Sequence, residues 1–213
     1  MKAYLFSGLG ADRRIFQKTV LPIGYEVVFI EWILPKPKET LQDYCLRIAS
    51  QISFNEHFIF IGVSFGGIVA TELSKIAKPQ KLILISSIST HDELPFYYKW
   101  AGKLNLLALV PIKLLKITNF ITYYFFGTST KEEKELLKNI LYDTDEVFLR
   151  WALSAILTWQ NIEKPTNFWH LHANNDKILP SFCIKNYIPF ESGGHFLVYN
   201  HSQQVNRELS IIL

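Results

Sequence analysis

The sequence predicts an α/β fold, a mostly parallel open sheet of about six strands with helices on both faces and a helical lid insertion. Short, almost continuously apolar runs alternate with amphipathic runs, which is typical of parallel strands and the helices that cover them. Glycine-rich loops follow several of the apolar runs. Between residues 91 and 160 the alternation stops and only helical patterns remain.

Six runs are predicted as strands. The first ends at Gly8 and Gly10, and the second is rich in β-branched and aromatic residues and ends before Pro35. Crossovers between such parallel strands are expected to be right-handed. The predicted strands cover residues 2–7, 26–32, 58–63, 81–86, 166–173 and 185–190.

Three helices are predicted to cover this sheet. Residues 40–54 place apolar side chains three and four positions apart, the spacing of an amphipathic helix. A second helix follows residue 64 and stops at Pro79, and the last runs over about 203–213. We therefore expect residues 1–90 and 161–213 to form one core domain.

Residues 91–160 are predicted to form a helical cap inserted into that core. Thr130 and Glu133 have the spacing of a capping box and open a charged helix, and an apolar stripe ending at Trp159 marks a second helix. The stretch 111–126 is apolar and aromatic, and a lipid-facing surface is one interpretation of its aromatic cluster around Phe120. Helices that are hydrophobic on most sides usually pack against their own domain, so we expect no membrane contact.

Composition excludes several classes of function. The chain has 213 residues, 49% of them hydrophobic, and its formal charge of +3 is scattered, so we expect no nucleic-acid partner. Cys45 and Cys183 are expected to be separate thiols. No secretory signal or membrane-spanning stretch is evident, so a cytoplasmic protein is expected.

The clearest chemical motif is Gly62-x-Ser64-x-Gly66, placed where a predicted strand turns into a predicted helix. Such a tight turn crowds the flanking positions, which favours glycine there, and it lifts the serine hydroxyl out of the sheet. The position predicts Ser64 as a nucleophile, with a structural turn serine as the plain alternative.

A serine nucleophile needs a base, and the base needs a partner that holds its tautomer. Asp176 follows the fifth predicted strand and His195 the sixth, so both fall on the sheet edge that carries Ser64. Asp92, which follows the fourth strand, is a rival acid. The backbone N–H groups of Leu9 and Phe65 are the predicted oxyanion donors.

Two further histidines, His170 and His172, alternate on one predicted strand. Such a pair can bind a metal ion, but no third ligand is apparent, and we interpret both as core residues. We predict neither a metal nor an organic cofactor.

Three segments resemble the α/β-hydrolase superfamily, in its cap-bearing group of small esterases, C–C hydrolases and related enzymes. They are GVSFGG at 62–67, HANNDKILP at 172–180 and GGHF at 193–196. The resemblance covers almost the whole chain and implies an active site under a helical lid inserted after the strand that ends near Ser86. The chain departs from the pattern at Ser7, where many members have histidine, and at Ala173, where glycine is usual. It also lacks the first antiparallel hairpin of larger members.

Together these observations predict a serine hydrolase that cleaves a small or medium hydrophobic carboxylic ester or thioester through an acyl-serine. A lyase or C–C bond hydrolase using the same three residues is one alternative, and a non-catalytic receptor for a small ligand is another. The sequence does not indicate the oligomeric state.

Overall fold

The computed structural model describes residues 1–213 and contains a six-stranded, wholly parallel sheet. Its strands lie in the order β2-β1-β3-β4-β5-β6. β2 lies on one side of β1, and β3 to β6 follow in sequence on the other side. The direction in which strands are added therefore reverses between β1 and β3. The strands are β1 (Lys2–Phe6), β2 (Glu26–Ile30), β3 (Phe58–Val63), β4 (Leu82–Ile85), β5 (Phe168–Ala173) and β6 (Ile188–Phe190).

Nine α-helices accompany the sheet. They are α1 (Leu41–Ile48), α2 (Phe65–Ala77), α3 (Phe96–Lys103), α4 (Ile112–Leu115), α5 (Phe120–Phe126), α6 (Lys131–Asp143), α7 (Glu146–Thr158), α8 (Leu197–Asn200) and α9 (Ser202–Ile212). Short 3₁₀ turns, such as Arg13–Phe16 and His91–Glu93, connect some of them.

The central strands are apolar on both sides because both faces of the sheet are covered. Alternate strand residues point to opposite faces. Phe6 and Phe60 belong to a core cluster with α1, α2 and α7, whereas Leu5 and Ile61 belong to a second cluster with α8 and α9. The predicted fold class, sheet size and layering are thus confirmed.

The structure differs from the predicted elements or adds to them in three places. The stretch 111–126 contains two short helices, because Asn119 is extended and caps the start of α5 by accepting a hydrogen bond from the Thr122 amide. Helix α3 was not predicted. The helix predicted over 40–54 ends as α1 at Ile48 and continues only as a 3₁₀ turn.

All five helices α3–α7 lie between β4 and β5 in the chain. Two buried carboxylates attach this segment to the sheet domain. Glu93 accepts hydrogen bonds from the amides of Ser89 and Lys185, and Glu72 accepts one from the indole of Trp159 at 2.6 Å. These bonds fix both ends of the helical segment, since they lie just after β4 and just after α7.

Helix α5 packs differently from the expectation. None of its residues is buried, and Phe120 is 80% exposed. The helix lies on the protein surface rather than within a core, so only one of its sides packs against the rest of the protein. No helix of the chain has the length and apolar character needed to cross a bilayer.

Candidate active site

Ser64 occupies the turn between β3 and α2 in a left-handed conformation, with φ of 51°. The turn is tight enough that the residues two positions before and after Ser64 cannot carry side chains. A Cβ on Gly62 would lie 2.5 Å from the Cα of Gly67, and one on Gly66 would lie 2.3 Å from the carbonyl oxygen of Phe6. Glycine is therefore required at both positions, because a Cβ atom would clash with backbone atoms that cannot move aside as a flexible side chain could.

A second serine supports this turn. The hydroxyl of Ser87, just beyond β4, donates a hydrogen bond of 2.7 Å to the carbonyl oxygen of Ser64. The Ser64 amide donates to the carbonyl of Ile85 at 3.0 Å. Both backbone polar groups of Ser64 are thus held by the neighbouring strand, which helps to maintain an unfavourable backbone conformation.

His195 and Asp176 lie beside Ser64 as a continuous hydrogen-bonded chain. His195 Nε2 is 2.8 Å from Ser64 Oγ, and His195 Nδ1 is 2.8 Å from Asp176 Oδ2. The other carboxylate oxygen of Asp176 accepts hydrogen bonds from the amides of Ile178 and Leu179, both at 2.9 Å. All four oxygen and nitrogen contacts have good hydrogen-bond lengths.

These partners determine the tautomer of His195. An ionised carboxylate can only accept hydrogen bonds, so Nδ1 carries the proton that faces Asp176. Nε2 is then unprotonated and accepts the hydrogen bond that the Ser64 hydroxyl donates. The imidazole is oriented to take a proton from Ser64.

Asp176 remains ionised although it is only 3% exposed. Burial is the largest single effect and by itself would raise the pKa of this carboxyl group, but the charge and the hydrogen bond of the neighbouring His195 both lower it. His172 and the Leu179 amide lower it further, and the net pKa lies below the ordinary value. A buried negative charge therefore lies beside His195 Nδ1.

The loop after β1 approaches Ser64 from the other side. A Cβ on Gly8 would be in ordinary contact, 3.6 Å from the Ser64 Cβ. Ser7 closes the loop by donating a hydrogen bond of 2.6 Å to the Ala11 carbonyl, which is how the loop is supported without a histidine at position 7. Neither the Leu9 nor the Phe65 amide donates a hydrogen bond to another group of the protein. Phe65 begins α2, where such free amides are expected.

The helical segment also braces this loop. Thr144, the first of the two residues between α6 and α7, places its hydroxyl 3.0 Å from the Gly10 carbonyl oxygen, and a Cβ on Gly10 would lie only 2.2 Å from that hydroxyl. The loop that carries Leu9 is therefore in direct contact with the segment inserted between β4 and β5.

A second contact links α5 to the loop that carries His195. Gly127 ends α5 with φ of 70°, and a Cβ there would lie 2.9 Å from the Cα of Gly194. The Phe196 amide donates to the carbonyl of Phe126, whose ring lies edge-on 5.8 Å from the His195 ring. The two glycines allow the backbones to meet directly beside the imidazole.

Ser64 and His195 line a cavity of about 310 Å³, which is at the small end of the range for small-molecule sites. Of its 21 lining residues, 17 are hydrophobic. Helices α5, α6 and α7 supply nine of the lining residues, among them Phe125, Ile140 and Leu153. The side chains with polar groups in this lining are those of Ser64, His195, Tyr98 and Thr122, and the rest of the lining is apolar or glycine.

The structure separates the other candidate residues from this site. The side chain of Asp92 is exposed and makes no contact with His195, so Asp176 is the acid beside the imidazole. The rings of His170 and His172 are buried in edge-on contact at 5.2 Å, and His172 Nε2 is 2.8 Å from the Leu179 carbonyl. No cluster of three or more potential metal ligands occurs in the chain.

Fold and site together define the class. The site lies beyond the carboxyl ends of β1, β3, β5 and β6, next to the reversal of strand order, where open α/β sheets bind ligands. The strand-turn-helix at Ser64 and the order serine, aspartate, histidine are those of α/β hydrolases. The chain has the α/β-hydrolase fold.

Comparison with solved structures gives particular neighbours for this fold. An esterase from Exiguobacterium antarcticum is 16% identical with a TM-score of 0.71, covering 98% of this chain and 90% of its own. A lipase-esterase related protein from Clostridium acetobutylicum is 17% identical with a TM-score of 0.70, covering 100% and 94%. An epoxide hydrolase from Bacillus megaterium is 8% identical with a TM-score of 0.70, covering 98% and 91%. No family model and no curated protein matches the sequence.

Sequence reasoning did not identify Ser87, Thr144 or Gly127 as parts of the site. Each acts through a backbone contact with a residue distant in the chain, and no local motif signals such a contact. The only available signals were a serine directly after the fourth strand and glycines at the end of a helix and before a histidine.

Proposed function

We propose that the protein is a serine hydrolase that cleaves small or medium hydrophobic carboxylic esters or thioesters. The observation that carries the proposal is the hydrogen-bonded chain Ser64–His195–Asp176 at the floor of an apolar cavity. Neighbours of this fold that are esterases support the same class of substrate.

In the proposed reaction, Ser64 Oγ attacks the carbonyl carbon of the ester while His195 Nε2 takes the hydroxyl proton. Asp176 stabilises the resulting imidazolium through Nδ1–H. The imidazolium then gives its proton to the leaving alcohol or thiol, and an acyl-serine remains. A water molecule, deprotonated by His195, hydrolyses the acyl-serine and restores the enzyme, so the cycle requires no cofactor.

The amides of Leu9 and Phe65 are proposed to bind the oxyanion that forms on the carbonyl oxygen. Support comes from their positions on either side of Ser64, their lack of other hydrogen-bond partners, and the dipole of α2, whose amino end begins at Phe65. Loss of one such donor usually lowers kcat by about 10²–10³.

Residues 91–160 are proposed to be the cap that selects the acyl group. The support is that residues 91–160 supply 11 of the 21 lining residues of the cavity, whereas Ser64 and His195 come from the rest of the chain. The apolar lining favours a hydrocarbon acyl chain over a charged or hydroxylated one, because the lining offers few partners for buried polar groups.

Labelling with a fluorophosphonate, read by intact mass, tests the proposal. The wild-type protein should gain one adduct, Ser64→Ala should gain none, and Ser50→Ala, which removes an exposed serine, should label like wild type. A folded wild-type protein without an adduct would contradict the proposal and favour the alternative of a non-catalytic receptor for a small ligand. An unchanged adduct on Ser64→Ala would refute the role of this serine.

A further inference from the structure

Exposed apolar side chains are concentrated in one short part of the chain. Residues 96–125, called here the 96–125 surface, contain twelve of the twenty-five large hydrophobic residues that are exposed in the whole protein. The most exposed are Phe120 at 80%, Leu109 at 79% and Phe96 at 72%. Single exposed apolar residues are ordinary, but such a concentration marks a surface that contacts an apolar partner.

The same part of the chain has an unusual charge. Between Glu93 and Glu132 there is no acidic residue, and the first thirty-seven positions after Glu93 contain four lysines, Lys99, Lys103, Lys113 and Lys116. The whole protein has a net charge of only +3, so the remainder is slightly negative. None of the four lysines forms an ion pair within the protein.

Lysines also lie over aromatic rings of this surface. Lys103 Nζ is 5.9 Å from the centre of the Trp100 ring, and Lys177 Nζ is 4.4 Å from that of Tyr124. An apolar ring beside a cationic head is the combination that sits at a membrane–water boundary, with the ring among the headgroups and the ammonium group in water.

Charge decides between two possible occupants. A second copy related by a two-fold axis would place these lysines against the same surface of its partner, and residues 96–125 contain no carboxylate to pair with them. An anionic phospholipid surface instead supplies the missing negative charge and accepts the exposed rings.

We propose that the 96–125 surface docks on bilayers that contain anionic phospholipid. Phe120 and Ile121 enter the headgroup region, and Lys103 and Lys113 contact lipid phosphates. This contact differs from the sequence-based expectation, which buried the aromatic cluster within the domain. Docking requires no catalytic step, so a test of docking is independent of the proposed hydrolase activity.

The position of the surface gives the docking a structural consequence. Phe125, which is exposed on this surface, and the neighbouring Leu115 and Thr122 also line the cavity above Ser64. Helices α4 and α5 therefore contribute side chains both to the 96–125 surface and to the cavity lining, and a docked protein presents this wall of its cavity to the lipid.

Vesicle co-sedimentation tests the proposal, with Ser64→Ala protein so that no turnover alters the lipid. We expect binding to vesicles of phosphatidylcholine and phosphatidylglycerol, with much weaker binding to phosphatidylcholine alone and weakening with added salt. Lys103→Gln with Lys113→Gln should weaken binding about 25-fold, since each lysine contributes about fivefold. The matched double variant Lys78→Gln with Lys164→Gln, on the opposite edge of the sheet, should bind like the parent.

The apolar contribution is tested with Phe120→Ser combined with Ile121→Ser, both of which are exposed and outside the cavity lining. This variant should lose most binding, whereas Phe54→Ser, another exposed aromatic residue, should not. Circular dichroism confirms that each variant is folded. Absence of binding to either vesicle, or binding unaffected by both double variants, would overturn the proposal. A dimer in sedimentation velocity that Phe120→Ser abolishes, without vesicle binding, would assign the surface to a second copy instead.

Discussion

Asp176→Asn tests how the structure sets the tautomer of His195. In the native protein Asp176 Oδ1 accepts from two amides, those of Ile178 and Leu179, while Oδ2 accepts from His195. An asparagine has one carbonyl oxygen and one NH₂ group, and only the oxygen can serve the two buried amides. The NH₂ group is then directed at His195 Nδ1, which must become unprotonated to accept from it.

The consequence for catalysis follows from this reversed hydrogen bond. With Nδ1 unprotonated, the proton of neutral His195 moves to Nε2, where it faces Ser64 and prevents the ring from accepting the serine proton. Wrong-tautomer variants of serine–histidine–aspartate sites lose about 10⁴ in kcat. We expect a loss of the same order in kcat for p-nitrophenyl ester hydrolysis, with the fold retained because both amides keep their acceptor.

The matched control is Asp92→Asn, which alters the rival acid. Asp92 is exposed and lies away from His195, so this variant should keep activity within about twofold, as expected for surface substitutions. A folded Asp176→Asn protein with less than a tenfold loss, or an equal loss in Asp92→Asn, would refute the assignment of the acid.

Three further perturbations follow from the same structure. Gly62→Ala should lower the free energy of unfolding by about 3 kcal/mol, measured in urea, because its Cβ would lie 2.5 Å from the Gly67 Cα. Gly8→Ala, whose Cβ would meet only ordinary contacts at 3.6 Å and beyond, controls for the general effect of replacing a glycine. Burial, followed by the adjacent His172, lowers the pKa of His170 to about 3, so the unfolded chain alone takes up this proton as the pH falls below about 6.5. As the pH falls from 7.5 to 5.5, His170 should therefore lower the free energy of unfolding by about 1.4 kcal/mol. His170→Asn should reduce this loss, whereas His57→Asn, at an exposed position, should not. An equal pH dependence in wild type and His170→Asn would contradict this explanation. Leu153→Phe narrows the cavity and should lower kcat/KM about tenfold for the longest ester accepted, with little effect on acetate esters. Val147→Phe, on the outer side of α7, should leave the dependence of kcat/KM on acyl-chain length unchanged. The same dependence in wild type, Leu153→Phe and Val147→Phe would show that the acyl group does not bind in this cavity.

The strands and the residues at their carboxyl ends could be predicted because each depends on a local pattern. β3 is a run of six buried residues ended by a glycine-flanked serine, and its bounds were predicted to the residue. Asp176 and His195 could be placed because parallel strands bring their ends to one edge. The direct contacts among Ser64, His195 and Asp176 agree with that prediction of position.

Residues 91–160 could be predicted only as a helical segment. Its apolar residues do not reveal which side faces the cavity and which side faces outward, since Phe120 and Phe126 have the same hydrophobic character and opposite environments. The helix break at Asn119 depends on a side-chain cap, and the Gly127–Gly194 contact depends on packing between segments that are distant in sequence. Tertiary contacts of this kind leave no periodic signal.

Trapping the acyl-enzyme tests the central claim most directly. Wild-type protein is mixed with a slowly deacylating hydrophobic ester, quenched in acid during turnover, and analysed by intact mass and then by peptide mapping. We expect an increase equal to one acyl group, located on the peptide that contains Ser64 and absent in Ser64→Ala. Turnover at a normal rate without any acyl adduct, in protein that fluorophosphonate labels at Ser64, would contradict covalent catalysis and favour a reaction in which the serine and His195 act only as a base.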